Sequence, residues 1–294
     1  MEEILTGYFE YLKQGKHLSQ NTLQSYQNDL KQYLAYVQSK EITNWSMVTR
    51  KIILDFLVYL QERNRAQASL MRMLSSIKRF HLYLQIEQIT QQNPTLQIEL
   101  PKKTIKEPEY LTFEEIERIM QVPNCQTLLG LRDRVMLELL YASGVRVSEF
   151  VELKVSEFNL VMGLLHLTGK SNRERIIPLA PSTVKWLQKY LEQVRDQLVK
   201  EQTPYMFVNH RGKQFTRQGV WKIIKQIILE AKIEKSVTPQ TFRHSLAVHL
   251  LQNGADLATV QEILGHVDIS TTEIYVKMTK KRLSETYLKY FPRA

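Results

Sequence analysis

A histidine and a tyrosine lie close together in the segment Leu264–Tyr275, which reads L-G-H-V-D-I-S-T-T-E-I-Y. Gly265 ends the preceding predicted helix, and His266 follows at the break. Ser270, with a glutamate three residues later, predicts the start of a short helix that carries Tyr275. A histidine at a helix end and a tyrosine on a short helix suit phosphoryl transfer, in which a protein supplies positioning and charge stabilisation. The same residues also fit a helix-turn-helix corner in which the histidine is a cap and the tyrosine packs inward.

Three further basic side chains stand at special places in the backbone. Arg146 follows a glycine that ends a predicted helix, Lys170 lies at the tip of a predicted hairpin, and Arg243 lies in the first turn of a helix. Each has a simpler interpretation, because Arg146 could pair with Glu149, Lys170 could solubilise a turn, and Arg243 could be a surface residue. The occurrence of all of them with the histidine and the tyrosine in one basic chain favours a site for a phosphate group.

Helices and one small sheet are predicted to position these groups. Residues 1 to about 90 contain almost no glycine or proline, and apolar residues recur at helical spacing over 19–37, 49–61 and 67–86. The stretch 158–179 is the only one typical of strands, and it predicts a small antiparallel meander. We therefore expect a mainly α protein of two domains.

The domain limits follow from composition. An all-α N-terminal domain is expected at 1–97 and a basic, proline-bounded linker at 98–108. The catalytic domain at 109–294 is expected to be α+β, with the small antiparallel sheet among its helices. A capping box that starts at Thr112 opens it.

Positive charge is distributed over the whole chain. The 294 residues carry a net charge of +10. Up to Lys106 there are 14 Lys and Arg against 9 Asp and Glu, and the remainder has 26 against 21, so that each part carries +5. Basic surface on both parts points to a long polyanion held from two sides, most simply duplex DNA. Charge alone also fits a generic basic protein.

The single cysteine, Cys125, excludes a disulfide within the chain and a zinc site built from cysteines. The first residues are acidic and lack the basic and apolar regions of a signal peptide. No run approaches the roughly 18 apolar residues that a membrane span requires. We therefore expect a cytoplasmic protein with no membrane partner.

Several motifs together resemble the tyrosine recombinase family, the phage-integrase-like site-specific DNA recombinases, and most closely its short Xer-type members. The resemblance covers nearly the whole chain, and order, spacing and length all agree with the family. Its N-terminal part is similar to the family's SAM-like core-binding domain. The matching stretches are L-S-Q-N-T-L (18–23), Y-A-S-G-V-R-V-S-E (141–149), G-K (169–170), R-I-I-P-L (175–179), T-P-Q-T-F-R-H (238–244), L-G-H (264–266) and S-T-T-E-I-Y (270–275).

The resemblance implies a role for each matched residue. Tyr275 would attack the scissile phosphate and form a 3′-phosphotyrosyl link, releasing a 5′-hydroxyl. Arg146 and Arg243 would bind the non-bridging oxygens, and His266 would donate to the same oxygens. Lys170 would be the general acid for the leaving 5′-oxygen. The chemistry implies no cofactor and no metal, because the bond energy is kept in the phosphotyrosine.

Two further residues are expected to support this site. Glu149 lies one helical turn from Arg146 and would orient it. Gln240 stands where the family pattern has a histidine three residues before Arg243, and glutamine cannot accept a proton near neutral pH. His244 points about 100° away around the helix, and we assign it no part in compensation. The hypothesis is an active enzyme with weakened proton transfer, in which Gln240→His would raise the cleavage rate.

Candidates for DNA contact come from polar helix starts and basic helix faces. A helix start offers unpaired backbone N–H groups to a phosphate, although the same side chains also serve as ordinary caps. The candidates are Ser19, Asn21, Thr22, Arg72, Lys78, Arg79, Arg217 and Gln218.

The resemblance also implies partners. These are double-stranded DNA with inverted half-sites and either a homotetramer or a heterotetramer with a sister recombinase on synapsed DNA, with a septal DNA translocase as a further candidate. An amphipathic helix after Tyr275 would dock into a neighbouring protomer or onto its own domain. Chromosome dimer resolution and excision or integration of a mobile element both fit. The alternatives are a DNA-binding protein silenced at Gln240 and a type IB topoisomerase.

Overall fold

The computed structural model describes residues 1–15, 18–99, 108–168, 174–265, 272 and 275. The chain forms two compact units, Met1–Ile105 and Lys106–Ala294. Each unit has its own apolar core. Among the described residues, no helix combines the length and the apolar character that crossing a bilayer demands.

Four helices and one 3₁₀ turn build the first unit. Large aromatic side chains fill its interior, among them Tyr33, Trp45, Phe56 and Phe80, each at most 1% exposed. The Ser19 hydroxyl accepts the Thr22 N–H at 3.1 Å and caps the second helix. The elements are α1 (Glu2–Gln14), α2 (Gln20–Gln38), the 3₁₀ turn (Trp45–Met47), α3 (Arg50–Glu62) and α4 (Gln67–Ile86).

The second unit has eight α-helices, a 3₁₀ turn (Val155–Glu157), a π-helical turn and a small sheet in the described part of the chain. The predicted capping box at Thr112 is present, since Thr112 and Glu115 exchange hydrogen bonds. The helices are α5 (Phe113–Gln121), α6 (Leu128–Ser143), α7 (Val147–Phe150), α8 (Pro181–Tyr190), α9 (Asp196–Leu198), α10 (Arg217–Glu230), α11 (Pro239–Gln252) and α12 (Leu257–Leu264), and the π-helical turn is Leu191–Arg195.

The sheet is an antiparallel meander in the order β1-β2-β3. Its strands are β1 (Phe158–Asn159), β2 (Leu164–Thr168) and β3 (Glu174–Pro178). Leu165 pairs with Ile177, and both are fully buried because alternate residues of each strand face the core. Thr168 pairs with Glu174, so Lys170 belongs to the connection between β2 and β3, outside the described residues.

The predicted fold class is confirmed: a SAM-like helical domain and a mainly helical domain with a three-stranded antiparallel sheet. The helix predicted at 67–86 has those limits, and the helix at 49–61 is shifted by one residue to Arg50–Glu62. The predicted linker falls largely on 100–107, outside the described residues. The helix predicted after Tyr275 also lies outside them.

Candidate active site

Arg146 lies at the N-cap of the short helix α7. Gly144, in the left-handed conformation with φ of 58°, ends α6 and redirects the chain towards it. The Glu149 carboxylate accepts the Arg146 backbone N–H at 2.7 Å and the Arg146 Nη1 at 3.0 Å. The Arg146 side chain is 45% exposed. The anticipated pair with Glu149 is thus present, and it leaves the cation accessible.

Arg175 on β3 is a component of this cluster for which no role was expected from the sequence. Its Nη1 and Nη2 donate to the two oxygens of Glu149 at 3.1 and 2.8 Å. Burial alone would raise the pKa of Glu149, but the hydrogen bonds from Arg175 and the Arg146 N–H and the two positive charges lower it to about 2. The sequence signal for Arg175 is its position two residues before Ile177, which places its charged side chain on the inward face of the strand.

Arg243 is buried near the start of α11, with 4% of the residue exposed. Its Nη1 donates to the Gly144 carbonyl oxygen at 2.5 Å and its Nη2 donates to the Leu264 carbonyl oxygen. Burial, and then the nearby charge of Arg146, lower its pKa to about 9, which leaves it protonated at neutral pH. The interpretation of Arg243 as a surface residue is therefore wrong.

The C-terminal end of α12 brings the two arginines to one place. Besides the bond from Arg243 to Leu264, the Arg146 Nη2 lies 3.4 Å from the Gly265 carbonyl oxygen. Carbonyl groups at a helix end lack partners within the helix and attract cations. Gly265 has φ of 63°, and a Cβ there would lie 2.9 Å from the Arg175 Nη1. The glycine that ends α12 therefore also leaves room for the Arg175 guanidinium.

The described part of this cluster carries a surplus of positive charge. The guanidinium groups of Arg146, Arg175 and Arg243 lie around a single carboxylate, that of Glu149. Their charges act on one another, because both Arg146 and Arg175 lower the pKa of Arg243. Such a site suits a phosphate group, whose oxygens accept charge-assisted hydrogen bonds.

Tyr275 lies beside this cluster in an apolar pocket. The residue is 3% exposed and packs with Leu246, Val260 and Leu264. Burial raises the pKa of its hydroxyl, while the charges of Arg243 and Arg146 lower it. The hydroxyl oxygen lies 2.6 Å from the His244 Nδ1.

His244 is the second component to which the sequence analysis gave no part. The His244 side chain points to a different side of α11 from that of Arg243. The sequence does not show that Tyr275 lies on the His244 side. The only sequence signal is its place in the quoted T-P-Q-T-F-R-H motif. Gln240 is exposed at the start of the same helix. Lys170 and His266 lie outside the described residues.

The candidates for DNA contact occupy helix starts and exposed faces. Ser19, Asn21 and Thr22 form the start of α2, where Ser19 and Thr22 also bond to each other at 2.8 Å. Arg217 and Gln218 are exposed in the first turn of α10. Lys78 is half-buried and Arg79 exposed on α4, whereas Arg72 pairs with the buried Asp29. Arg72 thus has a structural contact of its own.

Two family descriptions match the chain over most of its length. The phage integrase family matches residues 109–282 and the phage integrase N-terminal SAM-like domain matches residues 5–88. Proteins named tyrosine recombinase XerD are similar over the full length of both chains. The one from Oceanobacillus iheyensis is 45% identical over 297 residues, and the ones from Staphylococcus epidermidis and Listeria monocytogenes are 43% and 41% identical.

Solved structures agree on the fold. XerH recombinase bound to palindromic difH substrate has a TM-score of 0.77 at 22% identity and covers 90% of this chain and 78% of its own. A lambda integrase (75–356) dimer bound to a COC′ core site has a TM-score of 0.76 at 18% identity, with 94% of each chain covered. The family matches, and the 45% sequence identity that extends over the full length of the Oceanobacillus iheyensis protein, place the chain in the phage integrase family. It is a site-specific tyrosine recombinase that cleaves and rejoins DNA.

Proposed function

We propose that Tyr275 is the nucleophile of this recombinase and that Arg146 and Arg243 bind the non-bridging oxygens of the scissile phosphate. One observation carries this assignment: two guanidinium groups from separate segments converge on the end of α12, and both act on the Tyr275 hydroxyl through their charge. Phosphoryl transfer needs an oriented nucleophile and cations on the phosphate more than any cofactor.

The proposed reaction exchanges one phosphoester for another. The Tyr275 oxygen attacks phosphorus, the bond from phosphorus to the 5′-oxygen breaks, and a 3′-phosphotyrosine forms. Lys170 supplies the proton that the leaving 5′-oxygen takes up, and His266 donates a hydrogen bond to the phosphate. Attack by a 5′-hydroxyl of another strand reverses these steps and joins new ends. The resemblance in sequence supports the roles of Lys170 and His266.

Two residues have supporting parts in this proposal. Glu149 positions Arg146, which is supported by its hydrogen bonds to both the backbone and the side chain of that residue. Gln240 donates to a phosphate oxygen from the exposed start of α11, since its amide is a donor that carries no charge.

The two domains are proposed to grip DNA together. Residues 1–97 form the core-binding domain, 98–108 the linker and 109–294 the catalytic domain. The proposal is supported by the net positive charge on both parts of the chain. It gives phosphate contacts to the residues at the starts of α2 and α10 and to the basic residues of α4, which are Ser19, Asn21, Thr22, Arg72, Lys78, Arg79, Arg217 and Gln218.

The biological role proposed is recombination at a short site of inverted half-sites by four protomers, alone or with a sister recombinase. Similarity to proteins named tyrosine recombinase XerD over their full length supports it, as does the fold shared with XerH bound to palindromic difH substrate. Resolution of chromosome dimers in the cytoplasm, with a septal DNA translocase as partner, is the role that we put forward. Mobile-element excision or integration is the competing outcome.

The test is covalent capture of the protein on DNA. A nicked suicide duplex with candidate inverted half-sites loses its short 5′-hydroxyl fragment after cleavage, so the covalent intermediate accumulates. We expect an SDS-stable adduct with the unaltered protein and none with Tyr275→Phe. Tight, salt-sensitive binding without an adduct would instead identify a silenced DNA-binding protein or an enzyme that waits for a partner. Adducts on any duplex, without a defined site, would identify a topoisomerase.

A further inference from the structure

The hydroxyl of Tyr275 is in contact with one specific basic side chain. Its oxygen lies 2.6 Å from the His244 Nδ1, and the two ring centroids are 5.6 Å apart. His244 directly follows Arg243 on α11. Arg243 itself donates hydrogen bonds to the carbonyl oxygens of Gly144 and Leu264. The contact therefore belongs to the same assembly as the two arginines.

The protonation states and the His244 tautomer determine which atom donates. Burial, together with the charge of Arg243, lowers the pKa of His244 to about 4, so the imidazole is neutral at pH 7. Burial raises the pKa of Tyr275, so its hydroxyl carries a proton. With the proton of the neutral ring on Nε2, the Tyr275 O–H donates to the His244 Nδ1, and the proton that the nucleophile must lose points at an unprotonated nitrogen.

We propose that His244 is a catalytic residue that accepts the proton of Tyr275 during cleavage, a role that rests on the function proposed above. As the Tyr275 oxygen forms its bond to phosphorus, its proton passes to the His244 Nδ1 and an imidazolium forms. The bond from phosphorus to the 5′-oxygen breaks, and that oxygen takes its proton from a separate acid, Lys170. On rejoining, the Tyr275 oxygen leaves phosphorus and recovers the proton from His244.

Among the described residues, Arg243, Arg146 and Gln240 are unsuited to this step. Arg243 and Arg146 carry guanidinium groups, which have hydrogen-bond donors and no acceptor. Gln240 is exposed and its amide does not titrate. Among the described residues, His244 is the one titratable group that the structure places within hydrogen-bond distance of the hydroxyl. This revises the expectation of weakened proton transfer, because a proton acceptor is present although position 240 has none.

The decisive variants separate hydrogen bonding from basicity. His244→Asn places an amide oxygen where Nδ1 lies, so it still accepts the tyrosine hydrogen bond but takes up no proton near neutral pH. His244→Phe removes both properties. The matched control is His249→Asn on the same helix, because the His249 Nδ1 makes the same kind of contact, at 2.7 Å, with the hydroxyl of Tyr141.

The rate of adduct formation is measured in a single turnover on the nicked suicide duplex, with DNA affinity measured alongside. We expect His244→Asn and His244→Phe each to slow adduct formation by about 10²–10⁴-fold, the usual contribution of a positioned base. We expect His249→Asn to react at the unaltered rate. An unchanged or faster rate with His244→Asn would show that His244 only anchors Tyr275 at rest, and would overturn the proposal.

A second substrate distinguishes the base from the acid. A duplex with sulfur in place of the bridging 5′-oxygen has a leaving group that departs as a thiolate without a proton. It should restore the rate of Lys170→Ala but not that of His244→Asn, since His244 acts on the attacking oxygen. Rescue of His244→Asn by sulfur would overturn the assignment. No adduct with the unaltered protein would instead refute the proposed function itself, and this role with it.

Discussion

Arg175 on β3 and Glu149 on α7 are joined by two parallel hydrogen bonds of 3.1 and 2.8 Å. The same carboxylate holds the backbone and the side chain of Arg146. The side chains of Arg175 and Glu149 are only 10% and 16% exposed, so solvent screens the pair little. Arg175 on β3 therefore helps to orient Arg146 at the start of α7, because both bind the Glu149 carboxylate.

Replacing Arg175 by lysine should weaken cleavage without abolishing DNA binding. Lysine keeps the charge but cannot form the two-bonded fork with Glu149. We expect adduct formation on the suicide duplex to slow by about 10–100-fold, as for other residues that orient a functional side chain. The control is Arg195→Lys, because Arg195 bonds to the carbonyl oxygens of Thr203 and Tyr205 at 2.7 and 2.8 Å and has no contact with Glu149 among the described residues. An equal loss of rate in both variants would contradict the prediction.

Three glycines with positive φ should differ in their tolerance of a methyl group. A Cβ at Gly144 would lie 2.9 Å from side-chain atoms of Leu246 and Leu264, and one at Gly265 would lie 2.9 Å from Arg175, whereas Gly254 has nothing within 4 Å. The left-handed conformation costs an alanine roughly 1–2 kcal/mol at each site. Overlap should add about 1–3 kcal/mol at the first two positions.

Urea unfolding of the three alanine variants measures these losses. Gly254→Ala is the control that isolates the backbone cost, and Gly265→Ala should also slow adduct formation because Arg175 must move. Equal stability of all three variants would show that the crowding at Gly144 and Gly265 is relieved at no cost.

The first unit should lose stability in mild acid because of His81. This histidine is fully buried, its Nε2 lies 2.9 Å from the Tyr33 hydroxyl, and burial lowers its pKa from 6.5 to about 4. The unfolded chain then binds the proton more readily than the folded one. The contribution of neutral His81 to the free energy of unfolding is fully present above pH 6.5. It is lost as pH falls towards 4, by up to about 3 kcal/mol.

Trp45 reports on this loss, because its ring contacts His81 within the same core. With Trp186→Phe and Trp221→Phe in place, its fluorescence follows urea unfolding of the first unit alone. His81→Gln keeps a hydrogen-bonding group at the Nε2 position and does not titrate, so its stability should change less between pH 7 and pH 5. Burial also raises the pKa of Asp29, which adds its own pH dependence to the stability of both proteins. The prediction is therefore tested by the difference in pH dependence between the unaltered protein and His81→Gln.

Two arginines on α4 should respond differently to replacement by alanine. Arg72 pairs with Asp29, which is 2% exposed, so Arg72→Ala should destabilise the first unit by about 1–3 kcal/mol by leaving a buried carboxylate without its partner. Arg79 is exposed, and Arg79→Ala should leave stability unchanged. If Arg79 contacts a phosphate, the slope of log affinity against log salt should fall by about 0.9. An unchanged slope would remove Arg79 from the DNA interface.

Local signals account for the parts of the fold that could be predicted. The cap at Ser19 and the capping box at Thr112 are contained within four residues, and helical spacing over 67–86 gave both limits of α4. The π-helical turn Leu191–Arg195 has no such signal, because it continues α8 with the same residue types.

The site shows the same division. Arg146 and Arg243 could be recognised because each lies at a helix boundary that the sequence predicts, and the structure brings both to the end of α12. Arg175 and His244 were missed because their partners, Glu149 and Tyr275, lie 26 and 31 residues away. Such contacts depend on how β3 and α11 pack, which no spacing within either element reveals.

Two arginines of the site bond to neighbouring carbonyl groups at the end of α12. Arg243 is tied to the Leu264 carbonyl oxygen and Arg146 to that of Gly265, the very next residue. A displacement of these two residues would break a hydrogen bond to each arginine in the same event, so movement there would affect both cations together. If both arginines bind the scissile phosphate, as we propose, a shift of the backbone at Leu264 and Gly265 would weaken both phosphate contacts of one protomer together.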